Sequence, residues 1–142
     1  MYTSDINQKQ RQMAKASFIY LLISLFCVLF GMIYEHFSHE VYSGYMIYAF
    51  LFPLIMGTLV FFVLALFGRH FPGAIALNLY HSSVTALTVG SIFRGVLDIY
   101  GTDNPLIAVY WVSGITLGFA AVICYIISCL KNKVEMKPSP LL

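Results

Sequence analysis

Four polar side chains recur at spacings of three and four residues inside an otherwise apolar stretch: Asn78, His81, Ser82 and Thr85. Residues at these spacings share one face of an α-helix. An imidazole on such a face could relay protons or bind a ligand along a translocation path. In the alternative, a neutral His81 joins hydrogen bonds that tie neighbouring helices together. We favour the second interpretation, because the pattern places no second ionisable side chain beside His81.

A second group of residues with coordinating atoms follows the first apolar stretch and contains Glu35, His36, His39 and Glu40. On a continuous helix, Glu35 and His39 would lie one turn apart, and so would His36 and Glu40. Imidazole and carboxylate groups are ligands that zinc or copper could use. No cysteine joins the group, and a solvated loop explains the same residues. We therefore expect no cofactor and keep a metal site as the alternative.

Signatures of catalysis are missing from the sequence. It contains no G-x-S-x-G, no P-loop and no H-E-x-x-H motif. A bis-histidine haem would need two inward-facing histidines at one depth, and His81 alone fits that position. The sequence thus predicts a non-enzymatic protein. The competing class is a metal- or haem-binding redox or sensory protein that uses His36, His39 and His81.

Arg94 and Asp98 are four residues apart near the end of the third apolar stretch. A helix brings such residues together, so the spacing predicts an ion pair that neutralises itself at a membrane interface. In the alternative, Arg94 attracts an anionic headgroup or substrate.

Small residues recur four apart in the last apolar stretch, at Gly114 and Gly118. Such a pattern lets a second helix approach closely. We expect this face to seat the first or third helix of the same chain, with a homodimer contact as the alternative.

The hydropathy of the sequence predicts the helices that position these residues. Of the residues, 60% are hydrophobic and 10% charged, whereas soluble proteins carry about 25% charged residues. Four apolar stretches approach or exceed the ~20 residues that cross a bilayer as a helix. We therefore predict an all-α, integral membrane, antiparallel four-helix bundle, formed by a single four-span domain. Its predicted helices are residues 16–34, 41–67, 72–98 and 105–130, followed by a flexible tail at 131–142. Pro53 predicts a kink in the second helix.

The distribution of positive charge predicts the orientation. Seven basic residues fall on one side of the predicted spans, and Arg94 falls on the other. The seven are Lys9, Arg11, Lys15, Arg69, Lys131, Lys133 and Lys137. Because cytoplasmic loops are enriched in Lys and Arg, we expect a cell-membrane protein with both termini in the cytoplasm. The formal net charge of +2 is too small to indicate nucleic-acid binding.

The leading functional hypothesis is a small multi-pass membrane protein that is either a small-molecule transporter or the membrane subunit of a larger complex. The polar side chains of the third helix would line its interior. Its partners would be the lipid bilayer and either a second copy of the chain or another membrane subunit.

Overall fold

The computed structural model describes residues 2–38, 41–68 and 71–135, and in these ranges every regular element is helical. Five α-helices and one π-helix follow one another. They are α1 (Tyr2–Phe37), α2 (Gly44–Ile47), a π-helix (Phe52–Leu59), α3 (Val60–Phe67), α4 (Ala74–Tyr100) and α5 (Ile107–Glu135). The predicted all-α class is confirmed.

Three helical segments are long and apolar enough to cross a membrane by length and composition: Asp5–Phe37, Gly44–Phe67 and Ile107–Lys131. We call Gly44–Phe67, which contains α2, the π-helix and α3, the second segment. At 27 residues, α4 is long enough to span, but among the described helices it is less apolar than these three and is not one of the candidate spans. Its polar residues, among them Asn78 and His81, lower its mean hydropathy. These segments are consistent with a membrane protein.

α1 begins at Tyr2, well before the predicted start at residue 16. The residues that precede the apolar run include Gln, Lys, Arg and Ala, which are strong helix formers. Asp5 lies in the first turn, where a negative charge stabilises the helix dipole. The apolar run therefore marks the part of α1 suited to lipid, whereas the backbone helix extends beyond it.

The second segment is irregular around Pro53. A turn at residues 48–50 precedes the π-helix, and Pro53 is the second residue of that π-helix. Proline lacks a backbone donor, and π-helical hydrogen bonding widens the backbone. The expected local distortion at Pro53 is thus a π-helix of eight residues.

Side chains from both neighbouring helices hydrogen-bond to backbone carbonyls of this irregular region. The pairs are Ser17 Oγ to Thr58 O (2.9 Å), Ser24 Oγ to Phe50 O (3.2 Å) and Tyr80 Oη to Met56 O (2.7 Å). A carbonyl oxygen has two lone pairs and can accept such a bond in addition to a backbone N–H, as Phe50 O does, which also accepts from Leu54 N. α1 and α4 therefore satisfy polar groups of the second segment as well as packing against it.

Neighbouring segments pack antiparallel. Along α4 and α5, Gly90 is paired with Tyr110 and Ser83 with Gly118, so the residue numbers run in opposite directions. The second segment runs opposite to α1, as the hydrogen bonds of Ser17 and Ser24 require. It also runs opposite to α4, where Tyr80 bonds to Met56 and Ser91 bonds to Tyr45. Backbone contacts join α1 to the second segment, the second segment to α4, and α4 to α5. Among the described residues, α1 and α5 make no such contact, and a closed bundle in a membrane stays a prediction.

Candidate functional site

Tyr20, Phe61 and His81 form a compact aromatic cluster that joins α1, α3 and α4. The Tyr20 hydroxyl oxygen lies 2.6 Å from His81 Nδ1. Phe61 stacks on His81 with a ring-centroid distance of 5.0 Å and on Tyr20 at 5.6 Å. Tyr20 and Phe61 are buried, whereas His81 is half-buried. When the proton of a neutral His81 is on Nε2, the Tyr20 hydroxyl donates a hydrogen bond to Nδ1. This contact is an interhelical hydrogen bond of the kind expected for His81.

The close approach of α1 to the second segment depends on Gly57. A Cβ atom at Gly57 would lie 2.3 Å from the ring of Tyr20, which no real side chain tolerates. Absence of a side chain at this position therefore creates the space that Tyr20 occupies.

The other three residues of the predicted polar face are exposed on the surface of the single chain: Asn78, Ser82 and Thr85. Thr85 Oγ1 donates to the backbone carbonyl of His81, at 2.8 Å, which is a bond within its own helix. Asn78 and Ser82 have no hydrogen-bond partner among the described residues. One chain thus packs His81 against Tyr20 and Phe61 but leaves its polar neighbours Asn78, Ser82 and Thr85 exposed.

A different set of hydroxyl residues on α4 is buried: Ser83, Thr88 and Ser91. Ser83 Oγ donates to Gly114 O (2.7 Å) on α5, and Ser91 Oγ donates to Tyr45 O (2.8 Å) on α2. Sequence analysis missed these residues because hydroxyls were counted on one face only. The signal was present: Ser83 and Ser91 are eight residues apart, two turns along the same side of α4.

The small residues of α5 face α4. A Cβ at Gly114 would lie 2.7 Å from the Leu87 side chain, and one at Gly118 would lie 2.9 Å from Ser83 Oγ. This pair therefore seats the third long helix of the same chain, which is one of the two expected intrachain partners.

Arg94 is the centre of a polar network at the end of α4. Its Nε lies 3.2 Å from Asp98 Oδ1, which is the ion pair that the spacing predicts. The guanidinium also pairs with Asp103 in the α4–α5 connection, and its carbon lies 5.6 Å from the Tyr45 ring centroid. Asp98 Oδ2 accepts a hydrogen bond from Ser43 Oγ at 3.0 Å. Four segments of the chain thus contribute to this network.

Beside this network lies a cleft of about 440 Å³, which we call the aromatic cleft. It is lined by Tyr42, Ser43, Gly44, Tyr45, Tyr48, Phe52, Ser91, Asp98 and Trp111. The Trp111 ring meets Tyr45 at a centroid distance of 6.3 Å and Phe52 at 5.8 Å, with both ring pairs inclined by 68°. The cleft therefore presents several aromatic rings and one carboxylate to any small molecule that enters it.

A second cavity, of about 430 Å³, lies between α3, α4 and α5. Its lining includes Leu59, Val63, Ala76 and Val122, with the rings of Tyr80 and Tyr125 beside them. The space exists because α3 and α5 have no backbone contact in the described part of the chain. α5 packs against α4 along its length, whereas α3 reaches α4 through the ring of Phe61, which contacts Tyr80 and His81. We call this cavity the apolar groove.

The predicted metal ligands are described only in part, since His39 and Glu40 lie outside the described residues. Glu35 Oε1 is shielded from solvent and has no hydrogen-bond partner in the part of the chain that the structure describes. His36 is exposed, and its ring makes an edge contact with Phe37. Among the residues that the structure describes, no three His, Cys, Asp or Glu side chains are grouped to hold a metal ion.

Comparisons of this chain with protein-family models, with curated proteins and with solved structures find no match.

Proposed function

We propose that the protein is a non-enzymatic membrane protein with four spans and cytoplasmic termini, and that it acts as a subunit of a homodimer. The observation that carries the proposal is the uncovered polar face of α4. Asn78 and Ser82 are exposed there without a hydrogen-bond partner among the described residues.

The physical reason for dimerisation is the unfavourable free energy of exposing the polar face of α4 to lipid. At ~1.5 Å per residue, Ser82 lies about 12 Å from the start of α4, inside a hydrocarbon core of about 30 Å that a centred α4 would cross. Polar groups in hydrocarbon gain about 1–2 kcal/mol for each interhelical hydrogen bond they make. The second segment and α5 already cover the other sides of α4, so a partner must come from outside this chain.

A second copy of the chain is the occupant that fits the chemistry. An Asn amide is both donor and acceptor, and a Ser hydroxyl is as well. Two such faces related by a two-fold axis can therefore satisfy each other, which is the usual symmetry of homodimers.

Disulfide cross-linking tests this pairing in proteoliposomes. In a chain whose native cysteines (Cys27, Cys124 and Cys129) are replaced by alanine, Ser82→Cys should give a covalent dimer under mild oxidation. Ile123→Cys is the matched control, because Ile123 is also exposed but lies on α5. No dimer from Ser82→Cys, or the same yield from both variants, contradicts the proposal.

A transport function is the second candidate, and the position of His81 favours it. His81 shares the spacing of the exposed face and is half-buried at its edge, so a path between two copies would pass this imidazole. An imidazole can take up and release protons near neutral pH.

Proton flux tests that candidate. In proteoliposomes with an imposed pH gradient, His81→Ala should lower the protein-dependent flux, while Thr116→Ala, an exposed hydroxyl on α5, should leave it unchanged. Equal flux for His81→Ala and the unchanged protein would leave His81 as a structural residue.

A further inference from the structure

We propose that the aromatic cleft binds an organic ammonium cation, that is, a small molecule with a positively charged nitrogen and an apolar body. The inference depends on the geometry of one chain and not on the pairing of α4. A failure of the homodimer would therefore leave it intact.

The ring arrangement is the first argument. The lining contains Tyr42, Tyr45, Tyr48, Phe52 and Trp111, and their faces carry the negative part of the ring quadrupole. Because Trp111 meets both Tyr45 and Phe52 at steep angles, the rings form walls with different directions and not a single stack. Aromatic walls of this kind are the usual means of recognising quaternary ammonium groups.

The charge balance is the second argument. One guanidinium, that of Arg94, pairs with two carboxylates, those of Asp98 and Asp103, so the three groups together carry one negative charge. Asp98 lines the cleft, and its side chain keeps 29% of its surface exposed. The cleft therefore attracts a cation. An anion would meet Asp98 and would find Arg94 already engaged by both carboxylates and by the Tyr45 ring.

The size of the cleft is the third argument. Its volume of about 440 Å³ lies within the ~300–1,000 Å³ typical of small-molecule sites. Benzyltrimethylammonium has the required parts: a quaternary nitrogen for the rings and carboxylate, and a phenyl group for the apolar wall at Phe52.

Trp111 makes the test direct, because it is the single tryptophan in the sequence and it lines the cleft. Titration of the full-length protein in detergent with benzyltrimethylammonium should change the Trp111 fluorescence and reach saturation. Neopentylbenzene, in which carbon replaces the nitrogen, and benzenesulfonate should give no saturable change. A response of equal affinity to the neutral compound, stronger binding of the anion, or no saturable response to the cation would overturn the proposal.

A matched pair of variants locates the binding. Tyr48→Ala removes a lining ring and should raise the Kd for benzyltrimethylammonium by roughly threefold to thirtyfold, the range that cation–π contacts span. Tyr100→Ala makes the same change at the same end of the molecule but outside the lining, and should leave the Kd unchanged. Both side chains are largely exposed, and circular dichroism checks their folding. An unchanged Kd for folded Tyr48→Ala would contradict the assigned site.

Discussion

The hydrogen bond between Tyr20 and His81 joins two helices, α1 and α4, whose described backbones make no direct contact. Its two partners are 61 positions apart in the sequence, and Phe61 from α3 fills the space beside both rings. The bond thus links α1 to α4 within the cluster of Tyr20, Phe61 and His81, although the helices as a whole do not form a closed bundle in the described residues. Removing the Tyr20 hydroxyl alone would measure its contribution to the free energy of unfolding, because the ring contacts would remain.

Tyr20→Phe should lower the stability of the detergent-solubilised protein by about 1–2 kcal/mol, since the variant loses one interhelical hydrogen bond and leaves His81 Nδ1 without a donor. Thermal unfolding followed by circular dichroism measures the change. Tyr42→Phe is the control, because Tyr42 is 68% exposed. This variant should unfold at the same temperature as the unchanged protein. If Tyr20→Phe were as stable as Tyr42→Phe, the hydroxyl would contribute nothing to the folded state.

The sequence predicted that His81 joins an interhelical network, but it did not predict Tyr20 as the partner. Ser17 and Ser24 lie at helical spacing on either side of Tyr20 and mark a polar face of α1, but this spacing does not show which helix faces it. A contact across 61 positions depends on how helices pack, and hydropathy does not carry that information.

At the scale of the elements, the second segment is the most irregular part of the described chain and the one with the most interhelical hydrogen bonds to its backbone. Ser17, Ser24 and Tyr80 each donate to a carbonyl in or next to the π-helix. The sequence could predict a distortion from Pro53, but a kink and a π-helix follow from the same missing donor. Which one forms depends on how the neighbouring helices pack against this segment, and the sequence does not show that packing.

Gly57→Ala should destabilise the protein by about 1–3 kcal/mol, as expected when a side chain is forced into a packed contact. The added methyl group would overlap the Tyr20 ring, so α1 must move away from the π-helix. Gly44→Ala is a control in the same segment, because nothing lies within 4 Å of a Cβ at that position, and its effect should stay within about 0.5 kcal/mol. Equal unfolding temperatures for the two variants would mean that the helices separate at Gly57 without cost.

At the scale of the whole molecule, the number of membrane crossings decides whether the two termini lie on one side. Three segments are apolar enough to cross, and α4 is the polar one. If α4 also crosses, both termini share a side; if it does not, they lie on opposite sides. Polar residues on both the exposed and the buried sides of α4 are the reason for the difference in hydropathy.

We expect four crossings, with both termini in the cytoplasm. Reporter tags placed at the two ends should react in inverted vesicles and be protected in intact cells. In a cysteine-free chain, Asp103→Cys is the control for the outer side, because Asp103 is exposed in the α4–α5 connection, and it should show the opposite labelling. Tags that react on different sides would show that the chain crosses the membrane an odd number of times, which contradicts four crossings.

Hydropathy predicted four long apolar helices, and the described residues form four long helical segments, of which three are apolar enough to span a membrane. Hydropathy could not locate the aromatic cleft. Ser43, Asp98 and Trp111 come from three different segments, and each of them alone is typical of a membrane interface. Their combination becomes visible only when the connections bring the ends of α2, α4 and α5 together.

The apolar groove makes the position of α5 dependent on its surroundings. α5 packs against α4 and leaves a space of about 430 Å³ toward α3. In the proposed membrane setting, acyl chains would occupy this space. Short-tailed detergents would leave this space poorly filled, and longer tails or native lipid would wedge α5 in place. We therefore expect the position of α5 relative to α3 to depend on the amphiphile used during purification.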